Sequence, residues 1–293
     1  MALPHGAIER FVRANGIRLH VVEAGPEGGP PVVLLHGFPE LWYGWRGQLG
    51  ALADAGFRVI VPDQRGYGLS EKPAGVAAYD VKTLAADVVG LLDACGLAEA
   101  SIVGHDWGAV VAWWLALAHP ERVSRLGVLN VPHPAVMRGH LLSNPRQVAR
   151  SWYVFFFQLP RLPERFLARN DFANLARAVR SGRRGTCTDA DLAVYREAWA
   201  RPGALTGMVN WYRAALRSAS RRLPRLRVGV ETLVLWGARD RFLGREMAGE
   251  SAALCERGRL ELFEQATHWL QHDEKDAVNE RLLRFLTGGL AAL

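Results

Sequence analysis

One carboxylate lies at a position from which it could act as a nucleophile. Residues 104–108 read Gly-His-Asp-Trp-Gly, between a short apolar run and a helix-like run. A Gly-x-nucleophile-x-Gly turn lets a strand and a helix crowd together, and it holds the central side chain out at the edge of a sheet. Taken alone, Asp106 is as compatible with a helix N-cap as with a nucleophile, because Asp is a favoured capping residue.

The choice of Asp instead of Ser at this position points to attack on saturated carbon. A serine that attacked sp³ carbon would leave an ether, which water does not readily cleave. A carboxylate leaves an ester, which water can hydrolyse at its carbonyl. Asp106 is also ionised at neutral pH without help. Its chemistry therefore requires a base in the second step, to activate water.

Two later residues have the types and the order that this chemistry needs. After such a nucleophile, an acid and then a histidine are expected along the chain. Asp240 follows the apolar run Leu233–Gly237, and His268 follows Leu260–Phe263. Asp240 would orient His268, which would take the proton from water. Separately, Asp240 could be a surface partner of a neighbouring arginine, and His268 an ordinary loop histidine.

Two further candidates are interpreted as structural. Asp63 also follows a predicted strand, but Arg65 is close enough in sequence to pair with it. His272 lies near the start of a predicted helix, a position that suits capping.

Backbone amides could stabilise the oxyanion of the second step. The residue after the nucleophile and the loop after the first parallel strand normally provide them. These positions are Trp107 and the loop His36-Gly-Phe-Pro-Glu40. Phe38 is the candidate in that loop, since Pro39 has no N–H. A plain tight turn is the alternative interpretation.

The elements around these residues alternate between strands and helices. Asn15-Gly16 between two β-rich runs predicts a hairpin, and Pro31–Leu35, Arg58–Val61, Ser101–Val103, Arg125–Leu129, Thr232–Leu235 and Leu260–Phe263 are apolar runs typical of buried strands. Helical stretches between them predict the α/β class, with a mostly parallel sheet covered on both faces. Residues 134–228 hold amphipathic stretches typical of helices, many aromatic residues and many arginines, which predicts a cap domain inserted into a core of residues 1–133 and 229–293.

Composition excludes several classes of protein. Lys and Arg exceed Asp and Glu by 36 − 29 = 7, but nearly all cations are arginines and no nucleic-acid motif accompanies them. The three cysteines are widely separated and form no metal-ligand pair. No signal peptide and no apolar run of membrane-spanning length is found in the sequence. We expect a cytoplasmic monomer or homodimer without metal, cofactor, nucleic-acid or membrane partners.

Together, these segments resemble the α/β-hydrolase-fold epoxide hydrolases over nearly the whole chain. The matching segments are His36–Glu40, Asp63–Pro73, Gly104–Gly108, Asn130–Pro134, Asn210–Arg213 and the loops of Asp240 and His268. The resemblance implies that Asp106, Asp240 and His268 form a catalytic triad and that Phe38 and Trp107 form an oxyanion hole. It also implies that two cap tyrosines, Tyr153 and Tyr212, donate hydrogen bonds to the epoxide oxygen.

The implied reaction converts a small apolar epoxide and water into a vicinal diol. Ring opening creates a basic alkoxide, and a phenol that stays protonated at neutral pH can supply its proton. The apolar pocket walls are predicted to include Phe38, Trp107, Trp152 and Trp211. Haloalkane or haloacid dehalogenation by the same Asp nucleophile is the main alternative, since a halide needs only N–H donors. A non-catalytic ligand receptor is the second.

Overall fold

A central sheet of eight strands organises the protein, seen in a computed structural model that describes residues 3, 6–217 and 222–288. The strands lie in the order β1-β2-β4-β3-β5-β6-β7-β8. Strand β2 pairs antiparallel with β1 and β4, and the remaining pairs are parallel. The strands are β1 Ile8–Ala14, β2 Ile17–Ala24, β3 Pro31–Leu35, β4 Arg58–Pro62, β5 Ala100–His105, β6 Val123–Leu129, β7 Glu231–Gly237 and β8 Gly258–Phe263.

The central strands are apolar because helices cover the sheet. Val32–Leu35 of β3 are fully buried, as are Ile102 and Val103 of β5. A parallel sheet buried on both faces needs such continuous apolar runs. Strand order reverses between β3 and β5, so the loops that follow these two strands separate there. Ligands of open α/β sheets bind at this kind of switch point, outside the carboxyl ends of the strands.

The helices fall into a core set and an inserted set. The core helices are α1 Arg46–Asp54, α2 Val81–Ala94, α3 Trp107–Ala118, α10 Glu246–Ala253, α11 Leu270–Asp273 and α12 Lys275–Leu286. Between β6 and β7 lie α4 Pro134–Ser143, α5 Pro145–Arg150, α6 Trp152–Phe156, α7 Leu162–Val179, α8 Asp189–Trp199 and α9 Ala204–Arg217. The backbone of α7 is non-helical at residues 169–172. The predicted fold class, with its helical insertion, is confirmed.

Some predicted boundaries differ from the structure. Between β3 and β4 the sequence pattern predicts one helix over residues 41–55, but the structure has a 3₁₀ turn at Trp42–Trp45 and a helix that begins at Arg46. Gly44 in that turn lies against the buried Glu40 carboxylate, where a Cβ atom would approach within 2.7 Å. No helix in the described part of the chain is long and apolar enough to cross a membrane.

Candidate active site

Asp106 occupies a sharp turn between β5 and α3. Its backbone has φ 49° and ψ −126°, a conformation that L residues rarely adopt. A Cβ on Gly104 would collide with the backbone of Gly108, and one on Gly108 would collide with the Leu35 carbonyl. Glycine is therefore required at both positions. The Asp106 side chain makes no cap hydrogen bond, which removes the helix-cap alternative.

His268 and Asp240 converge on this carboxylate from the loops after β8 and β7. His268 Nδ1 lies 2.7 Å from Asp240 Oδ2, and His268 Nε2 lies 3.5 Å from Asp106 Oδ2. The backbone N–H groups of Phe242 and Leu243 donate to Asp240 Oδ1 over 2.7 and 3.0 Å. Asp240 thus forms hydrogen bonds with His268 and with its own loop, and not an ion pair with a neighbouring surface arginine.

Asn130, for which the sequence alone indicates no role, is part of this arrangement. Its Nδ2 donates to Asp240 Oδ2 over 2.8 Å, and its Oδ1 accepts from the Gly237 N–H over 2.9 Å. Its φ of 53° is in the left-handed region that Asn tolerates. The only sequence signal was its place at the end of a predicted strand within a matching segment.

The pKa values of Asp106 and His268 are shifted by their neighbours in the site. Burial disfavours the charge on Asp106, but hydrogen bonding and positive charge from His268, with the Phe38 N–H, outweigh it and lower the pKa. Burial likewise disfavours the imidazolium of His268, but the carboxylates of Asp240 and Asp106 outweigh it and raise its pKa to about 10. The resting site therefore holds an ionised Asp106 beside a protonated His268.

One of the two expected oxyanion donors already contacts the nucleophile. The Phe38 N–H donates to Asp106 Oδ1 over 2.6 Å, and the Phe38–Pro39 peptide is cis. Gly37 permits this approach, since a Cβ there would overlap the Asp106 side chain. The Trp107 N–H lies at the start of α3, where intrahelical acceptors are absent, but it makes no hydrogen bond with this carboxylate.

A cavity of about 510 Å³ lies between the inserted helices and the sheet edge. Asp106 and His268 line it, together with Tyr153 of α6 and Tyr212 of α9. The two tyrosine rings are 5.8 Å apart in an edge-to-face arrangement. Burial and the nearby Asp106 charge raise the pKa of both phenols, so both stay protonated at neutral pH.

The structure places two of the four predicted wall residues on the cavity. Phe38 and Trp152 line the cavity, whereas Trp107 and Trp211 do not. Trp211 is 1% exposed and lies 5.8 Å from the Trp107 ring. Its Nε1 donates to the Arg65 carbonyl over 3.0 Å. Trp211 is therefore packed in the core and not on the cavity wall. The Arg65 carbonyl gives its indole N–H the hydrogen-bond acceptor that a buried tryptophan needs.

A second buried polar cluster surrounds Glu40 and contacts the segment that carries His268. Glu40 Oε1 accepts from Tyr195 Oη over 2.5 Å and lies 2.8 Å from His272 Nε2. Gln271 Nε2 donates to Glu40 Oε2 over 3.0 Å, and His105 Nε2 lies 2.8 Å from the His268 carbonyl. The expectation that His272 caps a helix was wrong, because it lies inside α11 and faces this buried carboxylate.

The predicted pairing of Asp63 with Arg65 was also wrong. Asp63 lies 2.9 Å from His20 Nδ1 and accepts from the Trp42 and Leu69 N–H groups, each over 2.9 Å. Arg65 instead donates twice to Asp87, over 2.7 Å each. Asp63 is nevertheless structural, as expected, since its partners organise the loops after β3 and β4.

Comparisons with known proteins identify the family to which the chain belongs. The family model described as alpha/beta hydrolase fold matches residues 30–275. The chain is 45% identical to the AB hydrolase superfamily protein YfhM of Bacillus subtilis, over 94% of this chain and 97% of that protein. It is 39% identical to Epoxide hydrolase 4 of Mus musculus, over 94% of this chain and 78% of that protein.

This chain belongs to the epoxide hydrolase family of α/β-hydrolase fold proteins. A solved structure of Bacillus megaterium epoxide hydrolase in complex with an inhibitor superposes with a TM-score of 0.88 at 27% identity, covering 95% of this chain and 100% of that one. Because the superposition covers 95% of this chain, it includes the inserted helices as well as the sheet.

Proposed function

We propose that this protein hydrolyses epoxides to vicinal diols through a covalent ester on Asp106. The observation that carries the proposal is the placement of a carboxylate nucleophile and two protonated tyrosines on one cavity. A carboxylate suits attack on saturated carbon, and phenols suit an alkoxide leaving group. In this proposal residues 134–228 form the cap, and the core comprises residues 1–133 and 229–293.

In the first step, Asp106 attacks a ring carbon of the epoxide. Oδ1 is held by the Phe38 N–H, so Oδ2 is the oxygen available for attack. A C–O bond forms to Oδ2 as the ring C–O bond breaks, and the electron pair stays on the ring oxygen. Tyr153 and Tyr212 hydrogen-bond that oxygen, and one of them gives it a proton.

Ester formation prepares His268 for the second step. The ester removes the Asp106 charge, which is one of the causes of the raised His268 pKa. The histidine then loses its proton more readily, and a proton returns through solvent to the tyrosinate. Neutral His268 can then accept a proton from water. Water gives a proton to His268 and attacks Cγ of Asp106, and the Phe38 N–H stabilises the oxyanion with the Trp107 N–H as second donor. The ester C–O bond then breaks, and the proton of the new carboxyl group passes to the departing alkoxide, which releases the diol and leaves Asp106 ionised.

A single turnover in ¹⁸O-water with excess enzyme tests the covalent route. We expect the first diol to contain no ¹⁸O, because its new oxygen comes from Asp106, while the label enters the enzyme carboxylate. An ¹⁸O-labelled first diol would exclude the ester. Release of chloride or bromide from haloalkanes, without diol formation from epoxides, would instead identify a dehalogenase.

The tyrosines are tested by replacing both with phenylalanine. Tyr153→Phe with Tyr212→Phe removes both phenolic donors and keeps the aromatic rings, so ring opening should be lost while the fold is retained. Circular dichroism and thermal unfolding control for the fold. Full activity in the double variant would contradict their proposed role.

A further inference from the structure

A group of exposed apolar side chains lies on the inserted helices α6 and α7. We call it the α6–α7 patch, and its members are Trp152, Phe155, Leu159, Leu162 and Phe166. Trp152 is 58% exposed and Phe155 is 53% exposed. A contiguous apolar surface of this kind usually marks a place where another molecule binds. The patch therefore calls for an explanation beyond the folding of this chain.

The members of the patch are neighbours in space. Trp152 and Phe155 are three positions apart on α6, so they lie on one face of that helix. The Phe156 ring lies 6.0 Å from the ring of Trp152 and 5.3 Å from the ring of Phe166 on α7. The two leucines lie where the chain turns from α6 into α7. Trp152, Phe156 and Phe166 also line the cavity, so the patch extends to the cavity mouth.

Arginines accompany the patch along the same segment. Residues 145–170 contain five, all of them exposed: Arg146, Arg150, Arg161, Arg165 and Arg169. In the described part of the chain no carboxylate forms an ion pair with any of these five, and Glu164, the one acidic residue of the segment, pairs with Arg213 over 2.7 Å. Arg161 lies between the two leucines in sequence, and Arg165 lies one helical turn after Leu162. Positive charge therefore adjoins the apolar side chains and is not neutralised by the protein.

The combination of charge and apolar surface discriminates between possible occupants. In a two-fold dimer a patch faces its own copy, which would bring like-charged arginines together at an apolar interface. A bilayer with anionic headgroups attracts arginines and accepts Trp, Phe and Leu side chains at the boundary of its acyl chains. Tryptophan in particular is enriched at membrane–water interfaces. The net charge of +7 for the whole chain acts in the same direction.

We infer that the α6–α7 patch docks this protein onto the surface of membranes that contain anionic phospholipids. The apolar side chains enter the headgroup region, and the arginines contact phosphate groups. Such peripheral contact needs no spanning helix. It revises the expectation of no membrane partner, which rested on the lack of a spanning segment in the sequence. Since Trp152 and Phe166 belong to both the patch and the cavity wall, docking would turn the cavity mouth toward the lipid.

The test is sedimentation of the full chain with lipid vesicles. One set of vesicles is pure phosphatidylcholine, and the other contains phosphatidylcholine and phosphatidylglycerol in equal parts. At low ionic strength we expect at least about tenfold tighter binding to the anionic vesicles, and added salt should weaken it. Absence of binding to the anionic vesicles would overturn the inference.

Two variants separate the contributions of charge and apolar contact. Arg150→Gln, Arg161→Gln and Arg165→Gln together should weaken binding by about tenfold or more. Phe155→Ser with Leu162→Ser should weaken it by about tenfold, because both side chains then lose their place in the acyl boundary. Neither Phe155 nor Leu162 lines the cavity, and both are exposed, so the fold should be retained, as circular dichroism would verify.

Matched substitutions on the core provide the controls. Phe11 and Leu262 are also exposed, and Phe11→Ser with Leu262→Ser removes the same two types of side chain from β1 and β8. The exposed Arg13, Arg18 and Arg257 supply the matched triple Arg→Gln variant. Both controls should bind anionic vesicles nearly as well as the parent. If they weaken binding as much as the patch variants do, general attraction of a cationic protein explains it and the inference is overturned.

Vesicle binding requires no turnover, so its outcome is independent of the proposed function. Retained binding in both patch variants would place the contact elsewhere and overturn the inference, while epoxide hydrolysis would be unaffected. Light scattering after size exclusion tests the other occupant. A dimer that dissociates in Phe155→Ser with Leu162→Ser would identify a second copy of the chain on the patch and would also overturn the inference.

Discussion

At the scale of single residues, the charges of Asp106 and His268 shift each other's pKa. The two side chains approach within 3.5 Å, and a third charge, that of Asp240, lies on the other side of the imidazole ring. A protonated histidine cannot serve as a base, so the raised His268 pKa suits the resting state and not the hydrolytic step. In the proposed mechanism, the loss of the Asp106 charge when the ester forms would resolve this conflict.

Asp106→Asn mimics the charge of the ester, so we expect it to lower the pKa of His268 from its value of about 10. The measurement is an NMR titration of the histidine ring in both proteins, with intact mass spectrometry to verify that the amide persists. Asp240→Asn should lower the same pKa at least as much, because the Asp240 charge contributes more to the shift. An unchanged pKa in Asp106→Asn would show that ester formation does not prime the base.

Sequence could indicate Asp106, Asp240 and His268 because each follows a strand, in an order that one sheet edge brings together. Asn130 and Glu40 also follow strands, but that position alone did not indicate what they contact. Their positions are explained by contacts between loops that are distant in sequence, for example Glu40 with His272, 232 positions later. The prediction that Trp211 lines the pocket was wrong for a related reason. The sequence shows that an aromatic residue is present, but not whether its ring packs in the core or faces the cavity.

Among the elements, the approach of α3 to β3 depends on Gly108. A methyl group there would overlap the Leu35 carbonyl, so Gly108→Ala must shift the helix or the strand. We expect a loss of about 2 kcal/mol or more in the free energy of unfolding, as for other overpacked core positions, together with loss of activity. Urea denaturation followed by circular dichroism measures the first effect.

Gly249 supplies the matched control for that substitution. It also lies within a helix, α10, but a Cβ there would meet nothing within 4 Å. Gly249→Ala should raise the free energy of unfolding by about 0.5–1 kcal/mol, because alanine has the higher helix propensity. Equal destabilisation by the two alanines would mean that the close approach of α3 does not explain the requirement for Gly108.

The ends of β6 and β7 are joined by Asn130, and two substitutions separate its contributions. Asn130→Gly keeps the left-handed backbone accessible and removes the hydrogen bonds to Asp240 and Gly237. Asn130→Ala removes the same bonds and adds strain of about 1 kcal/mol. We expect kcat to fall about tenfold in both variants, with the alanine protein the less stable. An unchanged kcat would show that Asp240 needs no support from Asn130.

Across the whole molecule, Glu40 connects the sheet core to the inserted helices. It follows β3, accepts from Tyr195 of α8, and lies beside Gln271 and His272 of α11. The fold class follows from patterns of apolar residues, which sequence displays directly. The connection through Glu40 does not follow from such patterns, because it depends on one carboxylate, 2% exposed, that is buried between three separate segments.

Glu40 therefore makes folding sensitive to acid. Its burial opposes ionisation, but His272 and His105 outweigh it and hold the pKa well below the ordinary value of 4.5. The unfolded chain consequently binds a proton at a higher pH than the folded one does. The stabilisation from ionised Glu40 is complete above about pH 4.5 and is lost as the pH falls toward the folded-state pKa.

Glu40→Gln removes this titration and should flatten the acid limb of the stability curve. The variant should lose about 1–3 kcal/mol at neutral pH, where a buried charged hydrogen-bond partner is replaced. Below about pH 4.5 its free energy of unfolding should fall less steeply than that of the parent, by up to one proton or about 1.4 kcal/mol per pH unit. Urea unfolding at a series of pH values from neutral to acid measures both slopes. Parallel curves would place the acid sensitivity elsewhere, and the buried Asp63, whose pKa is also lowered by its His20 partner, would then be the next carboxylate to replace.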